Sequence, residues 1–301
     1  MKTILVIIVV LVFTVSTQGQ SRTKKNYYEN GVEKEFYHTK NGIKNGLYQI
    51  KYSNNKIWQK GHYCDGLLCG NWEVYYQSGQ IKQKAHYKDG KLDGLQYYYY
   101  PNGLLKQTQN YTNDTIEGIV KLYSENGFLS ETIQYNKGLK NGQYIKYNHK
   151  KDTVIKGTFE NNLKSSAWIY FDDDGFVKKK EYYDSGKLSD DILFFYKSGE
   201  LRKKITLPPH PIQYTFDKAG NTVSILELKE NKANGVYIEF YSNRGIKVIG
   251  QYLNNNRTGI WKKYYPNGSI KQIGRYQNNR EKGVWRNYNI KGDLIKEIEF
   301  Q

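Results

Sequence analysis

The sequence predicts an all-β protein, an elongated antiparallel β-meander built from about twelve β-hairpin repeats of 24 residues each. Three observations carry that prediction. Gly46, Gly70, Gly94, Gly118 and Gly142 follow one another at a spacing of 24, and Gly235, Gly259 and Gly283 resume it. The chain holds 30 tyrosines and 28 glycines against 5 prolines and one methionine, and aromatic residues dispersed among Gly and Asn turns favour strands over helices. Within each unit, finally, the same residue types recur at the same distances from the first glycine.

The chain opens with Lys2, an apolar run from Ile4 to Val15, and Ser16-Thr17-Gln18-Gly19. This is the charged, apolar and small-residue order of a secretory signal, so residues 1–19 are expected to be a signal peptide cleaved after Gly19. The apolar run is short of the roughly 20 residues a bilayer-spanning helix needs, and no cysteine follows it to carry a lipid. The expected destination is outside the cell or in the periplasm or cell envelope.

Extending the 24-residue frame places further unit starts at Arg22, Ser166, Asp190 and Pro211. The unit beginning at Asp190 has 21 residues and ends in Leu207-Pro208-Pro209-His210, where the prolines remove ladder donors. A kink or boundary is expected there, dividing the array into an N-terminal part, 22–207, and a C-terminal part, 211–301.

With the first glycine of a unit at place zero, Trp72, Trp168, Trp261 and Trp285 occupy place two. Place five is aromatic from Tyr27 to Tyr288 except at Lys51, place nine is a recurrent turn glycine such as Gly79 or Gly103, and place seventeen holds Tyr63, Tyr87, Tyr111, Tyr135, Phe159, Tyr183, Tyr252, Tyr276 and Phe300. Two strand-prone runs bounded by turn residues make one hairpin per unit. A lone hairpin is marginal in water, so each must pair with its neighbours. Because side chains alternate, the aromatics at places two and five face opposite sides: one side is expected to be a stacked core, the other partly open. Leucine-rich repeats share the period but need a Leu-x-x-Leu-x-Leu pattern that is absent, and propeller blades need about 40 residues.

The set Tyr63, Asp65-Gly66, Gly70, Trp72, Tyr75-Tyr76, Gly79, Ile81 and Tyr87 resembles the MORN-repeat variant of bacterial YwqK-type proteins. The resemblance covers residues 22–301, strongly in the units from Gly70, Gly94, Gly259 and Gly283 and weakly in those from Asp190 and Pro211. It implies hairpin-sheet architecture and an interaction or antitoxin-like, toxin-neutralising role.

Candidate chemistry is sparse. His38, His62 and His86 recur at 24 residues, but equivalent places lie two strands apart, about 9–10 Å, too far for one ion at zinc–nitrogen bonds of about 2 Å, so no metal site is expected. Cys64 and Cys69 flank the turn Asp65-Gly66-Leu67-Leu68 and, in an exported chain, are expected to form a disulfide. Asp172-Asp173-Asp174-Gly175 falls on a hairpin turn and lacks the later glutamate of a calcium loop. No nucleophile elbow, zinc-binding His-Glu-x-x-His, phosphate loop or dinucleotide fingerprint occurs, and neither enzymatic activity nor a cofactor is expected.

Lysine and arginine number 46 against 29 acidic residues, a net charge of +17, or +16 once Lys2 leaves with the leader. The charge is scattered, and in an exported protein it directs attention to an acidic protein, an acidic glycan or other envelope component, or an anionic lipid surface, not to nucleic acid. The sequence reading is therefore a secreted, monomeric scaffold that binds a protein or cell surface through a basic, tyrosine-rich sheet. Trp58, Tyr98 and Tyr182, the aromatics least tied to the repeat, are the expected partner contacts.

Overall fold

The structure, a computed structural model, describes residues 20–301, so the expected signal peptide at 1–19 lies outside the described residues. Among the described residues every regular element is a β-strand. The contacts divide them into two compact units, the first holding the residues up to Leu105 with Asn110–Thr115, the second Lys106–Gln109 with Ile116–Gln301. Within each unit the pairing is antiparallel and follows chain order, as in Ile43–Lys51 on Ile57–Cys64 on Leu67–Tyr75. The β-meander read from the periodicity is thus the architecture, with one hairpin per 24-residue repeat.

Two kinds of turn alternate along the chain. Tight turns such as Asp65-Gly66 have both central residues at positive φ, +47° and +87°, as do Asn41-Gly42, Asn161-Asn162 and Asn254-Asn255. This geometry matches the twist of a two-residue hairpin and selects Asn, Asp and Gly. The longer turns carry a bulge. In the hairpin at Tyr52, its N–H donates to the Lys56 carbonyl at 2.8 Å and the Asn55 N–H to the Tyr52 carbonyl at 3.0 Å, with Asn55 at φ +65°. The register shifts there from Ile50↔Gln59 to Lys51↔Ile57, leaving Trp58 as the bulged residue.

The glycine that sets the period marks a second bulge, between hairpins. Lys60 pairs with Glu73 and His62 with Cys69, so Gly70, Asn71 and Trp72 together face the single residue Gly61. Gly70 adopts φ +66°, and on its other side the ladder is regular, with Gly70↔Tyr87 and Trp72↔Ala85. Ser166 holds the same conformation, φ +58°, where a unit lacks the glycine.

The bulge lets an indole lie over the neighbouring backbone. A Cβ built at Gly61 would fall 1.9 Å from Trp72, and the same holds for Gly157 with Trp168 (2.4 Å), Gly250 with Trp261 (2.2 Å) and Gly274 with Trp285 (2.0 Å). Across each of the first three glycines the tryptophan stacks on a tyrosine: Tyr48–Trp72 at 5.5 Å, Tyr144–Trp168 at 5.3 Å and Tyr237–Trp261 at 5.8 Å between ring centroids. Place-seventeen rings close the box edge-on, Tyr63 and Tyr87 around Trp72, Tyr252 and Tyr276 around Trp261. Aromatic pairs in these geometries contribute about 0.5–1.5 kcal/mol each beyond the area they bury. This face is the core: Trp285 is only 2% exposed.

The turns are stitched to one another as well. The hydroxyl of Tyr28 donates to the Lys51 carbonyl, Tyr52 to that of Tyr75, Tyr76 to that of Tyr99, Tyr241 to that of Tyr264 and Tyr265 to that of Tyr288, at 2.7–3.0 Å. Where the tyrosine is missing, Asn148, Asp172, Asp217 and Asn289 cap their own turn by accepting backbone N–H groups. The Pro208-Pro209 segment connects Leu201–Ile205 to Ile212–Phe216, which pair with each other as Lys204↔Tyr214.

Candidate binding face

Side chains that alternate with the tryptophans point to the other side of the sheet. In the second unit the ladder register lines them into one row across the strands: Lys121, Thr132, Ile145, Lys156, Ile169, Lys180, Leu193 and Lys204. The row continues through Tyr214, Ile225, Ile238, Ile249, Lys262, Ile273, Arg286 and Glu297. Aliphatic and cationic residues interleave, and the only carboxylate is the terminal Glu297, which pairs with Arg286 at 2.8 Å. No residue of the row is fully buried. With strands about 4.8 Å apart, Lys156, Lys180 and Lys204 on alternate strands repeat at about 10 Å. Lys180 lies over the Phe195 ring and Lys204 over Tyr214, while Asp191 pairs with Lys204 from beside the row.

The equivalent row of the first unit differs in chemistry. It runs Lys25, Phe36, Gln49, Lys60, Glu73, Lys84 and Tyr97, and Glu73 neutralises Lys60 at 3.1 Å while accepting a hydrogen bond from the Tyr75 hydroxyl. Its lysines alternate with polar and aromatic side chains where the second unit has isoleucine and leucine.

Cations on the aromatic face are spent on packing. Lys44 lies over Tyr37, Tyr48 and Tyr63, Lys164 over Trp168 and Tyr183, and Arg257 over Tyr276. Burial holds the Lys164 ammonium below the ordinary lysine range. Beside it, burial pushes the Glu181 carboxyl up, but hydrogen bonds from Lys179 and the Tyr170 and Tyr183 hydroxyls outweigh that and leave it low. Burial likewise drives the phenols of Tyr144, Tyr183 and Tyr237 up to about 12. The network around Glu181 holds its charge inside the sheet, with Lys179, Tyr170 and Tyr183 as hydrogen-bond donors.

Trp58 and Tyr98 do not share a surface. Trp58, 42% exposed, tilts against Tyr52 at 6.1 Å, in the place where Lys34, Lys82 and Lys271 lie over Tyr28, Tyr76 and Tyr265 in other hairpins. Tyr98 sits half-buried on the aromatic face and accepts a hydrogen bond from Gln83. Tyr182, in the second unit, is half-buried on the open face opposite Ala167. Cys64 and Cys69 are joined by a disulfide with their Cα atoms 5.8 Å apart. His38 and His86 each meet a cross-strand partner, Thr23 and Asn71, and among the described residues no three His, Cys, Asp or Glu side chains gather as metal ligands. Asp172 caps its turn by accepting from the Asp174 and Phe176 N–H groups. The interleaved row itself was not read from the sequence, although isoleucine at Ile145, Ile169 and Ile238 (place three) and at Ile225, Ile249 and Ile273 is its trace there.

A hairpin array with a packed aromatic face and an open cationic–aliphatic one is a repeat scaffold. Four of its repeats match the profile of the MORN repeat variant, at residues 44–65, 68–89, 92–113 and 257–278. Each match begins just after one tight turn and runs to the next, so it frames one hairpin. No curated protein matches the chain. Among solved structures it is similar, at 12% identity, to the Photorhabdus luminescens Tc holotoxin pore with the TccC3-D651A mutation, over 90% of this chain and 15% of that one, TM-score 0.17. It is similar also to the TcdB2–TccC3 structure, at 12% identity over 90% of this chain and 16% of that one, TM-score 0.18. The chain therefore spans about one sixth of the length of these structures.

Proposed function

We propose that the chain is a secreted, non-enzymatic scaffold that holds an acidic protein partner against the open face of its second unit. The observation that supports this is the row from Lys121 to Arg286: six cations across fifteen strand positions with no carboxylate among them. Lys204 and Arg286 are met by Asp191 and Glu297, and the other four carry the excess charge; cations distributed along one face bind through many weak contacts, steer an acidic partner during approach and lose affinity as salt rises. The aliphatic residues between them favour a second reading, an anionic lipid surface, on which lysine heads meet phosphate while isoleucines contact the acyl boundary. The two are separated by immobilising the mature chain and passing over it either poly-L-glutamate or phosphatidylserine vesicles, at low and at physiological salt. Retention of the polypeptide, weaker but persisting at physiological salt, with vesicles not retained there supports the acidic-protein reading; vesicles retained at physiological salt and polypeptide at neither salt replace it with the lipid one.

A further inference from the structure

Over two of the place-fifteen glycines, Gly61 and Gly250, the bulge leaves a concavity on the open face, lined by the same places of the repeat. In the first unit Leu47, Lys60, His62, Asn71 and Glu73 line about 360 Å³ over Gly61, and the Lys60–Glu73 ion pair closes its charge internally. In the second unit the concavity over Gly250 measures about 630 Å³ and has Val236, Ile249 and Ile260 as walls, with Lys262 in the place of Glu73 and Arg275 beside it. Neither Lys262 nor Arg275 forms an ion pair among the described residues, and Ile260 is 59% exposed. Lys262 pairs with Ile273 and Ile260 with Arg275, so the two residues are diagonal neighbours across one ladder, with backbone positions about 7–8 Å apart.

We propose that this concavity is the anchor point for an acidic side chain of the partner, seated between Lys262 and Arg275, with an adjacent apolar side chain of the same segment against Val236, Ile249 and Ile260. The inference rests on the acidic-protein reading above and gives it a specific contact. A carboxylate matches the guanidinium fork of Arg275 with a second charge from Lys262, and charge-assisted pairs of this kind are about twice as strong as neutral ones. The aliphatic walls lower the local dielectric and so strengthen that pair. The Gly61 concavity, with the same backbone and a carboxylate, Glu73, at the place of Lys262, is the built-in comparison: there the Lys60–Glu73 pair leaves no unpaired cation at that place for a ligand.

Fluorescence anisotropy with the full mature chain tests this, using a labelled hexapeptide of alternating glutamate and leucine and its glutamine counterpart. The glutamate peptide is expected to bind at least tenfold tighter, and Lys262→Gln with Arg275→Gln to abolish that preference; Ile260→Ser, at an exposed wall, is expected to weaken both peptides. Equal binding of the two peptides, or wild-type affinity in the Lys262→Gln/Arg275→Gln chain, overturns the anchor. Poly-L-glutamate capture lost on Lys156→Gln/Lys180→Gln but not on Lys262→Gln/Arg275→Gln would overturn the anchor while leaving the open-face reading standing; no capture by the wild-type chain overturns both.

Discussion

Gly61 and Trp72 act as one packing element: the indole of Trp72 occupies the space a side chain at Gly61 would fill, with Cε3 lying 1.9 Å from the built Cβ position. Any side chain there must expel the ring from its stack on Tyr48. Overpacking a formed core costs about 1–3 kcal/mol. Gly61→Val is expected to reach the upper end of that range, and Gly103→Val, at a turn glycine with no atom within 4 Å, to cost only its φ +86° strain. Urea unfolding of the two variants measures the difference.

Removing the ring instead leaves a hole. Trp285 is 2% exposed and packed against Tyr276 at 4.9 Å. Trp285→Ala is expected to destabilise by about 3–5 kcal/mol, as large aromatic truncations do. A double variant with Gly274→Ala should cost less than the sum of the two single changes, because the added methyl enters the vacated space. Thermal melts of the four chains form the cycle.

The tyrosine stitching of the turns predicts a smaller, repeated effect. Tyr52→Phe removes the donor to the Tyr75 carbonyl and Tyr265→Phe the donor to that of Tyr288. Each is expected to cost about 1 kcal/mol, and the two to add because they lie in separate contact units. Denaturant midpoints at equal m-values check both statements.

Alkaline pH should unfold the sheet. An unfolded tyrosine ionises near pH 10, whereas burial holds Tyr144, Tyr183 and Tyr237 protonated to about pH 12. Between those values the unfolded chain binds fewer protons than the folded one, so stability falls as pH rises through that window and is unaffected by these groups below pH 10. Phenolate absorbance and circular dichroism followed together should show late-ionising tyrosines appearing with loss of strand signal. Gradual ionisation without unfolding would contradict their burial.

Much of this was legible in sequence, and the limits have physical causes. The period, the tight turns at Asn-Gly and Asp-Gly and the aromatic columns all follow from local rules, and the pairing order of Ile43–Lys51, Ile57–Cys64 and Leu67–Tyr75 bears them out. The tryptophan boxes were half visible: Gly61, Gly157, Gly250 and Gly274 each precede Trp72, Trp168, Trp261 and Trp285 by 11 residues, a pairing of small with large that only the ladder explains. The open row was not legible, because two bulges per repeat displace the register and decide which of Ile145, Lys156 and Ile169 stand side by side. Tyr98 shows the same limit: its departure from the repeat suggested exposure, but strand alternation turns it onto the aromatic face.

Whether the open face or merely the net charge binds is decided by comparing two variants of equal charge. Lys156→Gln/Lys180→Gln alters the open row, and Lys140→Gln/Lys164→Gln alters the lysines that lie over Phe159 and Trp168 on the aromatic face. Capture on poly-L-glutamate by biolayer interferometry at physiological salt should fall at least tenfold for the first pair and stay near wild type for the second. An equal fall in both would contradict a defined binding face and reduce the interaction to bulk charge.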